Sequence, residues 1–110
     1  MTKQLIKKNT SDYRKQLISA LGDVKEAAAY LQVALDEYQI DGNMASLLIA
    51  FRNVTEAQGG ITSLANKTHL NRQSLYRTLS SHGNPKLQTL GLILKGLGFH
   101  LEIKPAKRPE

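Results

Sequence analysis

Apolar positions recur along this chain at three- and four-residue intervals, broken by glycine and asparagine, a rhythm that predicts consecutive helices. Tyr13, Leu17 and Leu21 fall four apart before Gly22, which predicts a short first helix. Asp23 followed by Glu26 reads as a capping box for a second helix over residues 24–38. Its apolar face comprises Val24, Ala27, Ala28, Leu31, Ala34, Leu35 and Tyr38. Asp41-Gly42 breaks that helix and Asn43 caps a third over residues 44–58. Leu47, Leu48, Ile49, Ala50, Phe51 and Val54 make this helix apolar nearly all round, which predicts the buried centre of the domain.

Gly59-Gly60 ends the third helix, and two short helices follow over 61–68 and 72–80, joined through His69-Leu70-Asn71. Asn84-Pro85 predicts a further helix start, because Asn is a favoured cap and Pro tolerates the first helical position. Leu87, Leu90, Leu94 and Leu97 should face inward from it. Gly91 and Gly96 each forgo roughly 1 kcal/mol of helix propensity relative to Ala. That cost predicts close approach to another backbone, within the fold or across a dimer. Gly98 should cap the end, after which residues 99–103 alternate apolar and polar as a strand does. The expected fold is therefore all-α, a compact helical bundle with a helix-turn-helix, plus a short C-terminal β-strand. Three segments are expected: an N-terminal arm over 1–22, partly disordered or a short helix; a helix-turn-helix domain over 23–103; and a disordered tail over 104–110.

Composition narrows the function classes. At 110 residues, 41% of them hydrophobic, the chain suits one domain with a modest core. It contains no cysteine, which removes disulfides, thiolate metal sites and a cysteine nucleophile, and suits a reducing compartment. No apolar run approaches the ~18 residues of a membrane span, and no export signal is apparent. A cytoplasmic location, with no membrane partner, is the expectation.

Charge changes the picture most. Seven basic and seven acidic residues balance over residues 1–60, whereas eight basic residues face two acidic ones over 61–110, so the whole net charge of +6 sits in the second half. No acidic residue occurs over residues 57–101, a stretch that carries Lys67, Arg72, Arg77, Lys86 and Lys95. Such asymmetry favours an anionic partner, because each cation that displaces a condensed counterion on DNA strengthens binding at low salt.

The unopposed positive stretch coincides with the two short helices. A helix-turn-helix holds its second helix so that the N-terminal half enters a major groove, which divides the residues into an inner and an outer set. Ile61, Leu64, Ala65, Thr68, Leu70, Leu75 and Leu79 form the inner set. At about 100° per residue, Gln73, Tyr76, Arg77 and Ser80 point away from Leu75, with Arg72 exposed at the helix start. Arg grips guanine O6 and N7, Gln pairs with adenine N6 and N7, and Ser74 or Asn71 reaches a phosphate or a base edge. Tyr76 offers a ring to a thymine methyl and a hydroxyl to phosphate. Lys67, Asn84 and Lys86 suit backbone contacts, the last two at a helix N-terminus whose free N–H groups favour phosphate. Double-stranded operator DNA is the expected partner, and a homodimer is expected because one short helix covers only a half-site.

Other chemistry is poorly provided for. His69, His82 and His100 are scattered and lack the neighbours of a metal site. Ser80-Ser81-His82 has no carboxylate within the stretch 57–101 to orient the ring. Gly91, Gly96 and Gly98 do not follow a strand as a phosphate-cradling loop does. The expectation is a non-enzyme with no metal and no cofactor.

Over residues 23–103 the chain resembles the addiction-module antidotes of the HigA type. The resemblance is carried by residues 23–35 with Ala27-Ala28-Ala29-Tyr30-Leu31, by Gly59-Gly60-Ile61-Thr62-Ser63-Leu64-Ala65, by Asn71-Arg72-Gln73-Ser74-Leu75-Tyr76-Arg77-Thr78-Leu79-Ser80 and by Gly83-Asn84-Pro85-Lys86-Leu87. It implies an antitoxin that binds and silences a small toxin similar to the RelE/HigB/ParE group, and that represses their shared promoter as a dimer on a palindromic operator. The alternative is a stand-alone helix-turn-helix repressor without a toxin. One departure is His69, at the turn position where such motifs usually carry Gly, which predicts a slightly strained turn.

Overall fold

The computed structural model describes residues 10–106, and within them the chain forms six helices: α1 Thr10–Ala20, α2 Val24–Asp41, α3 Met44–Ala57, α4 Gly60–Thr68, α5 Arg72–Thr78 and α6 Leu87–Gly96. The expected arm over 1–22 and tail over 104–110 lie partly outside the described residues, in 1–9 and 107–110.

Helix boundaries follow local hydrogen-bonding needs. The Asp23 carboxylate accepts from the amides of Lys25 at 2.8 Å and Glu26 at 3.2 Å, which satisfies two donors left open by the first turn of α2. The reciprocal half of the expected capping box does not form, because the Asp23 amide already donates to Ala20 O at 3.1 Å. Asn43 caps α3 by accepting from Ser46 N at 3.1 Å. At the end of α6, Phe99 N donates to Leu94 O at 2.8 Å and Gly98 N to Lys95 O at 3.0 Å, the paired bonds of a Schellman stop. Gly98 holds φ at 93°, where a side chain would be strained.

Helix α3 is the centre. It packs against α1, α2 and α4, while α4 also contacts α5 and α6. Leu48, Phe51 and Val54 from α3 are fully buried, joined by Leu75 and Leu79 from the α5 region and Ile93 from α6. Polar bonds tie the N-terminal side together. Arg14 of α1 donates to Asn53 Oδ1 at 2.6 Å, and Asn53, itself buried, donates to Tyr30 Oη at 3.0 Å. The other Arg14 nitrogen reaches Glu56 at 2.7 Å.

Several expectations need correcting. The C-terminal β-strand is absent: no strand exists among the described residues, and 99–106 carry no regular structure. A strand is stabilised by a ladder partner, and every other described element is a helix that already satisfies its own backbone. The last helix begins at Leu87 with Lys86 as its cap, not at Asn84-Pro85. Proline disfavours helical backbone in the residue before it, and the helix forms only where Leu90, Ile93, Leu94 and Leu97 can reach the core. Leu87, expected to face inward, is 72% exposed, and Ile49 and Val24 also face solvent. Of the two helical glycines, a Cβ on Gly96 would lie 2.7 Å from Thr68 Cγ2 and 2.8 Å from Leu64 Cδ1, so α6 crosses α4 closely there. A Cβ on Gly91 would meet nothing within 4 Å in this chain.

Candidate nucleic-acid interface

Two short helices and a three-residue turn present the basic surface. α4 starts at Gly60 behind Gly59, whose φ of 116° suits glycine and whose lack of a side chain leaves the first amides of α4 without a side-chain cap. The last turn of α4 is closed by Thr68 Oγ1, which donates to Leu64 O at 2.8 Å and accepts from Leu70 N at 3.2 Å. His69 then takes the left-handed conformation at φ 62°, the positive φ its turn position demands, while its amide donates to Ala65 O at 2.8 Å. Asn71 caps α5 by accepting from Gln73 N at 2.8 Å and Ser74 N at 3.1 Å.

This turn fixes which side of α5 is buried. Leu64 and Ala65 meet Leu75 and Leu79 in the core, with Ile61 and Leu70 packed at its edge. Arg72, Gln73, Tyr76 and Arg77 are exposed on the other side, and Ser74 is half-buried. None of these four side chains forms a hydrogen bond or ion pair among the described residues, so each is free to meet a ligand. Asn71 is exposed too, but its side-chain oxygen is committed to capping. Ser80 is spent on the chain itself: its hydroxyl donates to Arg77 O at 2.8 Å and accepts from His82 N at 3.3 Å.

Lys67 lies exposed on the last turn of α4, one turn of chain before α5. Asn84 and Lys86 do not share the placement expected of them. Lys86 is the residue capping α6, without a side-chain bond, whereas Asn84 sits two residues earlier in an irregular segment. That segment is pinned to the C-terminal end of α5, because Gly83 packs so tightly that a Cβ there would stand 2.0 Å from Thr78 O. Asn84 is therefore near the end of α5, away from the half that begins at Arg72.

The sequence did not single out Arg52. It lines a groove of about 300 Å³ with Thr55, Glu56, Gly60, Ile61, Tyr76 and Leu79, which joins α3 to the uncapped start of α4 and to α5. Glu56 in this groove is paired with Arg14, and Arg52 has no carboxylate partner among the described residues. The available signal was that Arg52 is the first basic residue after a long stretch without one, but only the fold brings it beside Tyr76.

Comparison with known proteins assigns the chain to a family. Residues 14–105 match the family described as probable addiction module antidote protein. The chain belongs to that family. An uncharacterized protein of Haemophilus influenzae is 25% identical over 77 residues, which span 70% of this chain and 78% of the relative. No solved structure matches. Membership in an antidote family implies a toxin as partner. No helix among the described residues is long and apolar enough to cross a membrane.

Proposed function

We propose that this antidote neutralises its cognate toxin by direct binding and represses the promoter the two share, with α4 and α5 acting as a repressor-like helix-turn-helix of the HigA type. The toxin in this reading resembles the RelE/HigB/ParE group. The observation that carries the DNA half is the exposed, unpartnered row Arg72, Gln73, Tyr76 and Arg77 within a stretch, 57–101, that has no acidic residue. Cations that no carboxylate neutralises retain their full attraction for phosphate. Arg72, Gln73 and Arg77 supply the donors that distinguish guanine and adenine in the major groove. Ser74, Tyr76 and the Asn71 side-chain amide add shorter-range contacts, and Lys67, Asn84 and Lys86 add charge or donors for the backbone.

A single α5 of seven residues reaches only half a site, so the reading includes a homodimer on a two-fold operator. Leu87, Leu92, Leu101 and Ile103 are exposed apolar side chains on α6 and the segment after it, and supply the surface for pairing. Ile93, the neighbour of Leu92, is fully buried in the core and lies outside this surface.

The test is fluorescence anisotropy with DNA from upstream of the protein's own gene. Arg72→Ala and Arg77→Ala should each weaken binding by about 1–3 kcal/mol, and loss of a phosphate contact should flatten the log–log salt slope by about one. Unchanged affinity and slope in both variants would exclude α5 as the reading helix.

A further inference from the structure

A second charge asymmetry lies on α2 and its junction with α3. Residues 26–51 contain four acidic residues, Glu26, Asp36, Glu37 and Asp41, and no Lys, Arg or His. All four carboxylates are exposed, and none is in an ion pair among the described residues. Helix α2 packs chiefly on α3, which in turn packs on α4, and α2 forms no packed pair with α4 or α5. At about 100° per residue, Glu26, Ala29, Val33, Asp36, Glu37 and Ile40 fall within an arc of about 100°, opposite the inward residues Ala27, Leu31 and Tyr38. Val33 is 56% exposed and Ile40 86% exposed in the middle of that arc. A helix on a folded domain ordinarily turns its polar residues to water, so a second apolar stripe there marks a contact surface.

We propose that this outer face of α2 is where the toxin docks, through Ala29, Val33 and Ile40 at the centre and the Glu26, Asp36 and Glu37 carboxylates at the rim, and that the contacting toxin surface is basic. The proposal rests on the antidote reading and adds the place and the chemistry. Charge selects among the possible occupants. DNA is repelled by four unneutralised carboxylates. A second copy pairing face to face about a two-fold axis would set those carboxylates against their own images, and a head-to-tail pairing with the basic half would not close. A basic protein satisfies both the stripe and its rim. Because α2 is in no packed pair with α4 or α5, this surface leaves the α4–α5 pair uncovered, and the proposal includes simultaneous binding of toxin and DNA.

The experiment uses the full chain and the protein encoded by the adjoining gene as probe. Binding is followed by surface plasmon resonance for the wild type, for Val33→Ser/Ile40→Ser and for Glu26→Gln/Asp36→Asn/Glu37→Gln. The apolar variant should lose roughly thirtyfold in affinity, the loss of a central interface anchor. The neutralised variant should associate more slowly and lose most of its salt dependence. Both should keep the wild-type melting temperature and operator affinity. Toxin binding by both variants equal to that of the wild type overturns this surface and leaves the antidote reading standing. A change in oligomeric state with toxin affinity intact assigns the face to self-association and overturns the proposal. No binding by the wild type itself overturns the antidote reading, and this surface with it.

Discussion

Thr55 is 2% exposed, and its hydroxyl has no hydrogen-bond partner among the described residues. An unsatisfied hydroxyl in the core costs desolvation with nothing in return, and valine has the same shape without that cost. Thr55→Val should therefore raise stability by about 1 kcal/mol, read as a melting temperature several degrees higher. A lower melting temperature would show that the hydroxyl is satisfied in solution. The glycines make a paired test. Gly91→Ala gains helix propensity in open space and should stabilise by about 0.5–1 kcal/mol. Gly83→Ala forces a methyl onto the Thr78 carbonyl and should destabilise by more than about 2 kcal/mol, measured by urea unfolding. The sequence shows neither Thr55 as an orphan nor Gly83 as the tight glycine. Both depend on which distant backbone lies beside them, and the helix propensity that drew attention to Gly91 and Gly96 is purely local.

At the scale of elements, α1 is held by a device that no periodicity reveals. Its Arg14 meets Asn53 and Glu56 across 39 and 42 residues of sequence, and Asn53 passes the connection to Tyr30 of α2. The Arg14–Glu56 pair is half-exposed and adds little on its own. The buried Asn53 matters more, since its removal strands polar groups from two helices. Asn53→Ala should cost about 1–3 kcal/mol, and hydrogen exchange should report α1 opening before the rest of the domain. Elements with strong local signals were legible: α2 and α3 from their caps at Asp23 and Asn43, and the inner and outer sides of α5 from the spacing of Leu75 and Leu79. The segment 99–103 was misread because alternation states only that a strand could pair, and the fold offers it no partner edge. Asn84-Pro85 was misread because a good cap residue does not start a helix whose apolar face is still too far from the core.

For the whole molecule, charge is divided between the acidic, Lys- and Arg-free stretch 26–51 and the acid-free stretch 57–101, which are proposed to serve toxin and DNA respectively. The basic surface was visible as an acid-free stretch, and the exposed row Arg72, Gln73, Tyr76 and Arg77 could be written from helical spacing alone. The groove containing Arg52 and the stripe on α2 were not visible, because each is defined by which side of a helix the core leaves uncovered. The central claim is that DNA contacts the α4–α5 side and leaves α2 untouched. The most direct test is a titration of the isotopically labelled full chain with its promoter fragment, followed by backbone amide chemical shifts. The account predicts shifts concentrated at Gly60, Ile61 and Asn71 through Arg77, with the amides of Glu26, Val33, Glu37 and Ile40 unmoved. Shifts centred on α2, or none along α5 at saturating DNA, would contradict it.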